Sequence, residues 1–266
     1  MGTNSKNSKS GASPRATGPA GSQFEVKVAA HYSLSVLAQT EAFGLPGAVV
    51  RRLEFQRADQ GHPLDDIILH GEAADGSTRC LEVQAKRQMA FTESDANFDA
   101  VARMLVDGWR IDPQRRFAVA IERTSSSIDR GVQEVLELSR HTIDDKSFEA
   151  QLAAPGRNRQ MRDFYAAFKA KLAANGVTDT ADVFAVLRNF SVLVFDYARP
   201  NSIAEHTDRM RASRIAGGNE GLYDALVSEL LAADAIGGEG DRRHWAEKLR
   251  ERGILLNEVR VRRQVI

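Results

Sequence analysis

One stretch constrains this chain more than any other: residues 65–86, which read as two strands and a tight turn. Asp65-Asp66-Ile67-Ile68-Leu69-His70 is short, apolar and rich in branched side chains. Ala73-Ala74-Asp75-Gly76-Ser77 carries the Asp-Gly pair that supplies positive φ in a hairpin turn. Thr78 to Lys86 then alternates. Strand side chains point to opposite faces with a period of two, so Leu81, Val83 and Ala85 face one way and Glu82, Gln84 and Lys86 the other. The plainer reading of this polar row is the wet face of a half-exposed strand. Two features argue for more. The apolar neighbours suggest a strand near the middle of a sheet, where a charged row is costly unless something pairs with it. The first strand also sets Asp65 and Asp66 opposite the row, at the same end of the hairpin.

An aspartate, a hairpin turn and then Gln84-x-Lys86 resembles the active-site hairpin of the PD-(D/E)XK nuclease superfamily, in the variant where glutamine replaces the middle acid, as in Mrr-type restriction endonucleases. The wider set Gly21-x-x-Phe24-Glu25, Leu64-Asp65-Asp66-Ile67 and Val83-Gln84-Ala85-Lys86 looks more specifically like the double-stranded DNA endonuclease domain of antiphage effectors. Those effectors include cyclic-oligonucleotide-activated (CBASS SAVED-type) and Avs/STAND-type proteins. The resemblance spans roughly residues 20–260, but its specific part is these three motifs.

The resemblance implies a fold, a cofactor and a partner. The fold class it implies is α/β: a restriction-endonuclease-like mixed sheet flanked by helices, with a helical C-terminal subdomain. The cofactor is Mg²⁺ (or Mn²⁺) and the substrate double-stranded DNA, cut with little sequence preference. Activation is expected through self-assembly or through a sensor or ATPase partner. Phosphodiester hydrolysis needs an activated water and relief of charge on the phosphate, and divalent cations serve both needs. Mg²⁺ takes hard oxygen ligands and keeps several waters, so few side chains suffice. Asp66 is the first-choice ligand with Asp65 close behind, and the sequence leaves open which of the two points inward. Gln84 offers an amide oxygen where most relatives place an acid. Glu25 and Glu82 are candidates to make up the missing negative charge. Lys86 is placed to orient the attacking water and to stabilise the phosphate. The catalytic candidates are thus Asp66, Gln84, Lys86, Asp65 and Glu82, and the metal ligands Asp66, Gln84 and Glu25. Two alternatives stand beside this reading: a nuclease-fold binding or docking module without turnover, and an RNA nuclease.

The rest of the chain frames the hairpin. Residues 1–20 hold almost nothing to bury and are expected to be a disordered tail. From Ser22, Phe24, Val28, Ala29, Tyr32, Val36 and Leu37 recur at helical spacing. Ser22 and Glu25 form a possible capping box, which competes with metal binding for the Glu25 carboxylate. Gly44 to Gly47 reads as a turn, Ala48–Gln56 as a strand, and Thr92–Asp95 as the cap of a helix reaching Trp109. Arg116–Ile121 is an apolar interior strand, and Ile128–Arg140 a helix. The order α-β-β-β-α-β-α defines a core over residues 21–144.

Residues 145–266 read as mainly helical, with Ala150–Asn175 helical, Phe190–Tyr197 a possible short strand and breaks at Gly217-Gly218 and Gly237-Gly238. Arg157, Arg159, Arg162, Lys169 and Lys171 mark either a phosphate-contacting or a solvated helix face. With 36 basic and 36 acidic residues, any nucleic-acid surface must be a local patch. The single cysteine, Cys80, excludes an internal disulfide and fits a reducing cytoplasm, and it reads as a packed strand residue. No apolar run approaches the ~20 residues that span a bilayer. Glycine-rich phosphate loops, nucleophile elbows and zinc-type Cys/His spacing are missing. His62 and His70 flank the first strand, as a loop and a strand-end histidine or as a general base.

Overall fold

The computed structural model describes residues 18–57, 60–200, 202–234 and 238–258. Its elements in chain order are α1 (Gly18–Ala38), β1 (Glu41–Ala42), β2 (Leu45–Glu54), β3 (Ile67–Ala73), β4 (Thr78–Lys86), α2 (Ala96–Ile111) and β5 (Arg116–Ile121). A π-helical turn, Ile128–Gln133, runs into α3 (Glu134–His141), followed by α4 (Asp145–Ala153), α5 (Arg159–Ala174), α6 (Thr180–Asn189) and β6 (Phe190–Val194). The chain continues through α7 (Ile203–Ile215), α8 (Leu222–Asp234), β7 (Glu239–Asp241) and α9 (Arg242–Glu251).

The strands form one mixed sheet in the order β1-β2-β3-β4-β5-β6, with β7 also pairing to β2. β3 and β4 are antiparallel, with Ile67 opposite Val83 and Ile68 opposite Glu82. Their turn carries Gly76 at φ +80, the conformation the Asp-Gly pair foretold. β5 and β6 run parallel to β4, which obliges the chain to cross over between them; α2 makes the first crossover and α3 to α6 the second.

Helices cover both faces. One core joins α1, α7, α8 and α9 to Leu81, Val83, Ala85, Ala118, Ala120 and Leu193. The other joins α2, α3, α5 and α6 to Phe117, Val119, Ile121, Phe190 and Val192. The alternation read from Thr78 to Lys86 is therefore real, and β4 lies inside the sheet. Asp95 caps α2 by accepting from the Asn97 amide at 2.9 Å, and Phe98, Val101, Ala102, Leu105 and Val106 are its buried face. Gly108 lets α2 approach β5: a Cβ there would lie 2.5 Å from the Phe117 ring. Gly108→Ala is expected to lower unfolding free energy by about 1–3 kcal/mol in urea titration, because Phe117 is fully buried and has little room to move.

Several expectations need correction. Residues 1–17 of the expected tail lie outside the described residues, whereas Gly18 already belongs to α1. Ser22 is thus inside the helix and is not its cap. Gly44–Gly47 is not the turn proposed: β2 starts at Leu45, the turn falls at Phe43-Gly44, and β1 closes a small antiparallel pair with β2. The helix expected over Ala150–Asn175 is two helices, interrupted around Pro155-Gly156. Beyond residue 145 the possible short strand over Phe190–Tyr197 is present as β6 (Phe190–Val194), whereas β7 was not expected. β6 extends the sheet parallel to β5, β7 pairs with β2, and α7 to α9 cover the opposite face from α3 to α6. Short apolar Phe190–Val194 carries no signal for which strand it joins. No described helix is long and apolar enough to cross a membrane.

Candidate metal and catalytic site

The ladder between β3 and β4 stops at Ile67 and Val83. Asp66, one residue before β3, replaces a main-chain partner with its carboxylate: Oδ2 accepts from the Ala85 amide at 2.8 Å. The Gln84 side-chain amide donates to the same oxygen. Both residues are nearly buried, Asp66 8% exposed and Gln84 4%. The Gln84 Oε1 atom is buried without a hydrogen-bond partner. Lys86 follows two residues on, half-buried, and the pleat sets it on the Gln84 face.

Of the aspartate pair, Asp66 is the one that touches Gln84. Asp65 is half-buried, and its carbonyl accepts from the Gln56 amide at 2.7 Å. Glu25, on α1, accepts from Gln56 Nε2 at 3.0 Å. Gln56 therefore ties the first helix to the start of β3, which brings Glu25 to the aspartate end of the hairpin. Gln56 does so in the left-handed region, at φ +55. A non-glycine residue there costs about 1 kcal/mol, held in place by the surrounding contacts. No sequence signal marked it. Gln56→Gly is expected to be more stable than Gln56→Ala by about 1 kcal/mol in urea titration, since both lose the Glu25 bond and only glycine relieves the backbone.

Glu82 shares the Gln84 face but is committed elsewhere. Fully buried, its Oε1 lies 2.6 Å from Arg115 Nη1 and 2.8 Å from His62 Nδ1, and Oε2 accepts from the Leu64 amide at 3.3 Å. Arg115 lies 33 residues away, and nothing in the sequence links the two. His62 is thereby a partner of Glu82, and His70 Nε2 sits 2.8 Å from Glu54 Oε1. Burial, outweighing the Glu54 charge, holds the His70 imidazole below its ordinary pKa. Burial and then the Glu82 charge push the Cys80 thiol up to about 12. Within the Arg157–Lys171 cluster, Lys171 is buried against Asp99 and the Glu93 carbonyl, Lys169 pairs with Glu149 at 3.1 Å, and Arg159 pairs with Asp163 at 3.4 Å. Arg157 and Arg162 donate instead to the Gln151 and Arg157 carbonyls, at 3.3 and 3.0 Å.

The donor set fits a hard divalent cation. A carboxylate touches a side-chain amide whose oxygen, Gln84 Oε1, is buried without a hydrogen-bond partner among the described residues, the kind of atom that a cation satisfies.

No family model matches the chain, and no curated protein matches it. Among solved structures, the chain is similar to the Cap4 SAVED/CARF-domain-containing receptor of Moraxella osloensis, with 10% identity and a TM-score of 0.46 over 87% of this chain and 47% of that one. It is similar at the same level to the Acinetobacter baumannii Cap4 receptor, solved with the cyclic trinucleotide 3'3'3'-cAAA, over 86% of this chain and 46% of that one. This chain spans about half the length of those receptors. Similarity at that level assigns no function to its residues.

Proposed function

We propose that the chain is a metal-dependent endonuclease domain of the PD-(D/E)XK type that cuts double-stranded DNA with little sequence preference. The observation that carries the reading is the contact of Asp66 with the Gln84 side-chain amide where β3 and β4 part, the oxygen of that amide being buried without a partner among the described residues. Asp66 and Gln84 Oε1 would hold Mg²⁺, with Glu25 approaching the same end through Gln56. The ion, when bound, supplies neutralisation of the phosphate and acidification of a water. Lys86 places an ammonium beside the scissile phosphate, where it offsets the charge that develops on oxygen and orients the attacking water. The Ala85 amide fixes the Asp66 carboxylate, so that little reorganisation is needed when substrate arrives.

The resemblance of the sequence motifs supports a role in antiphage defence, with activation by assembly or by a sensor or ATPase partner. A specific observation favours a second reading, the non-catalytic binding module: the Gln84 NH₂ already occupies one oxygen of Asp66. Supercoiled plasmid incubated with the chain, Mg²⁺ and an oligomerising condition separates the two. Nicked and linear products, without preferred cut positions, support the nuclease. DNA retained in a gel shift but never cut supports the binding module, and cleavage of structured RNA alone overturns the DNA assignment.

A further inference from the structure

The end of the sheet where β4 and β5 begin carries a feature the proposed cleavage site does not use. A cleft of about 330 Å³ opens there, lined by His62, His70, Arg79, Arg115 and Arg116 among others. At about 3.3 Å per residue, Arg79 lies roughly 17 Å along β4 from Gln84, so the two sites are separate.

The charges in this cleft do not cancel. Arg115 is matched, 2.6 Å from Glu82 and 3.7 Å from Asp112. Arg79 and Arg116 have no ion pair with any carboxylate among the described residues. Burial and then the Arg79 charge hold Arg116 below its ordinary pKa, and burial and then Arg116 do the same to Arg140. Three guanidinium groups therefore line one cleft, and the carboxylate that lines it with them, Asp112, lies against Arg115.

A cation is the competing occupant, because donor atoms of His62, Cys80 and Glu82 lie within 4.8 Å of one another. Arg115 stands against it. Its Nη1 already sits on the Glu82 carboxylate at 2.6 Å, where a metal would have to bind. The Cys80 thiol, held protonated at about 12, adds a further cost.

We propose that this cleft binds a phosphate-bearing anion, gripped by the unpaired guanidinium groups of Arg79 and Arg116. The planar guanidinium matches phosphate oxygens in pairs. The volume is at the lower end of small-ligand sites, enough for a short polyphosphate or for consecutive phosphates of a nucleic-acid backbone.

The test is titration of the full chain with pyrophosphate, without divalent ions, by isothermal calorimetry. Saturable binding is expected, weakened about tenfold or more by Arg116→Ala and further by adding Arg79→Ala. Both arginines are exposed, so the fold is expected to survive, and an unchanged melting temperature confirms it. Arg159→Ala, which removes an exposed arginine on α5, must bind as wild type does. Absence of saturable binding, wild-type affinity in the double variant, or equal weakening by Arg159→Ala each overturns the proposal. A duplex DNA titration in chelator distinguishes the source. If the double variant loses DNA and pyrophosphate together, the ligand is a nucleic-acid backbone; if pyrophosphate alone, a free anion. The result is independent of nuclease activity, because plasmid can be cut while pyrophosphate fails to bind, and the reverse.

Discussion

Plasmid incubated with Mg²⁺ is expected to stay largely intact when Lys86 is replaced by alanine, with the scission rate falling about 10²–10⁴-fold. The size follows from the position. Lys86 is half-buried at the end of β4, two residues from Gln84, where its ammonium sits on the face that carries the Asp66 carboxylate. Lys86 is half-buried at the strand end, so melting temperature is expected to stay near wild type while activity disappears. Lys86→Arg keeps the charge but spreads it over a planar fork, and an intermediate rate is expected. Asp66→Ala should abolish cleavage as well, but through a different mixture of effects. It leaves the Ala85 amide and the Gln84 amide without their acceptor in a nearly buried site, at about 1–3 kcal/mol of stability for each unsatisfied group. The two variants therefore separate chemistry from folding: equal activity loss, unequal melting. Unchanged nicking in Lys86→Ala would contradict the catalytic assignment.

Glu82→Ala is expected to destabilise the protein by about 3–5 kcal/mol, the largest stability effect at any of the candidate residues. Its carboxylate is fully buried and holds Arg115, His62 and the Leu64 amide, so removal strands a guanidinium with little water around it. The carboxylate also pins the loop before β3 to β4 and to the turn before β5. Loss of cleavage in this variant should track loss of folded protein, measured by urea titration beside a plasmid assay. Glu82→Gln, which keeps the shape and some hydrogen bonds, should recover part of the stability and with it the activity. A Glu82→Gln protein that is fully folded but inactive would return Glu82 to the chemistry.

Much of this hairpin geometry was legible before any coordinates. The period-two alternation from Thr78 to Lys86 placed Gln84 and Lys86 on one face. The Asp-Gly turn fixed the register that sets Asp66 beside Gln84, because a one-residue slip would have flipped the row. The choice between Asp65 and Asp66 was not legible, since it depends on where the ladder stops and on the Gln56 amide taking the Asp65 carbonyl. Gln56 itself left no trace: a glutamine at positive φ has no motif. Glu82 looked like its neighbours on the strand until Arg115 arrived from the far end of α2. The strands β6 and β7 were missed or unplaced for a related reason. Five residues after a helix, four of them apolar, and three around Gly240 acquire a role only through the distant strands they pair with. Local pattern reports faces and turns; partners far along the chain lie outside it.

The most direct measurement is a crystal of the protein soaked in Mn²⁺, examined by anomalous diffraction. The account predicts a peak within about 2.2 Å of an Asp66 oxygen and of Gln84 Oε1, with the Gln84 NH₂ turned away from Asp66. A map in which Gln84 still donates to Asp66 and manganese is absent, or lies instead among His62, Cys80 and Glu82, would contradict it.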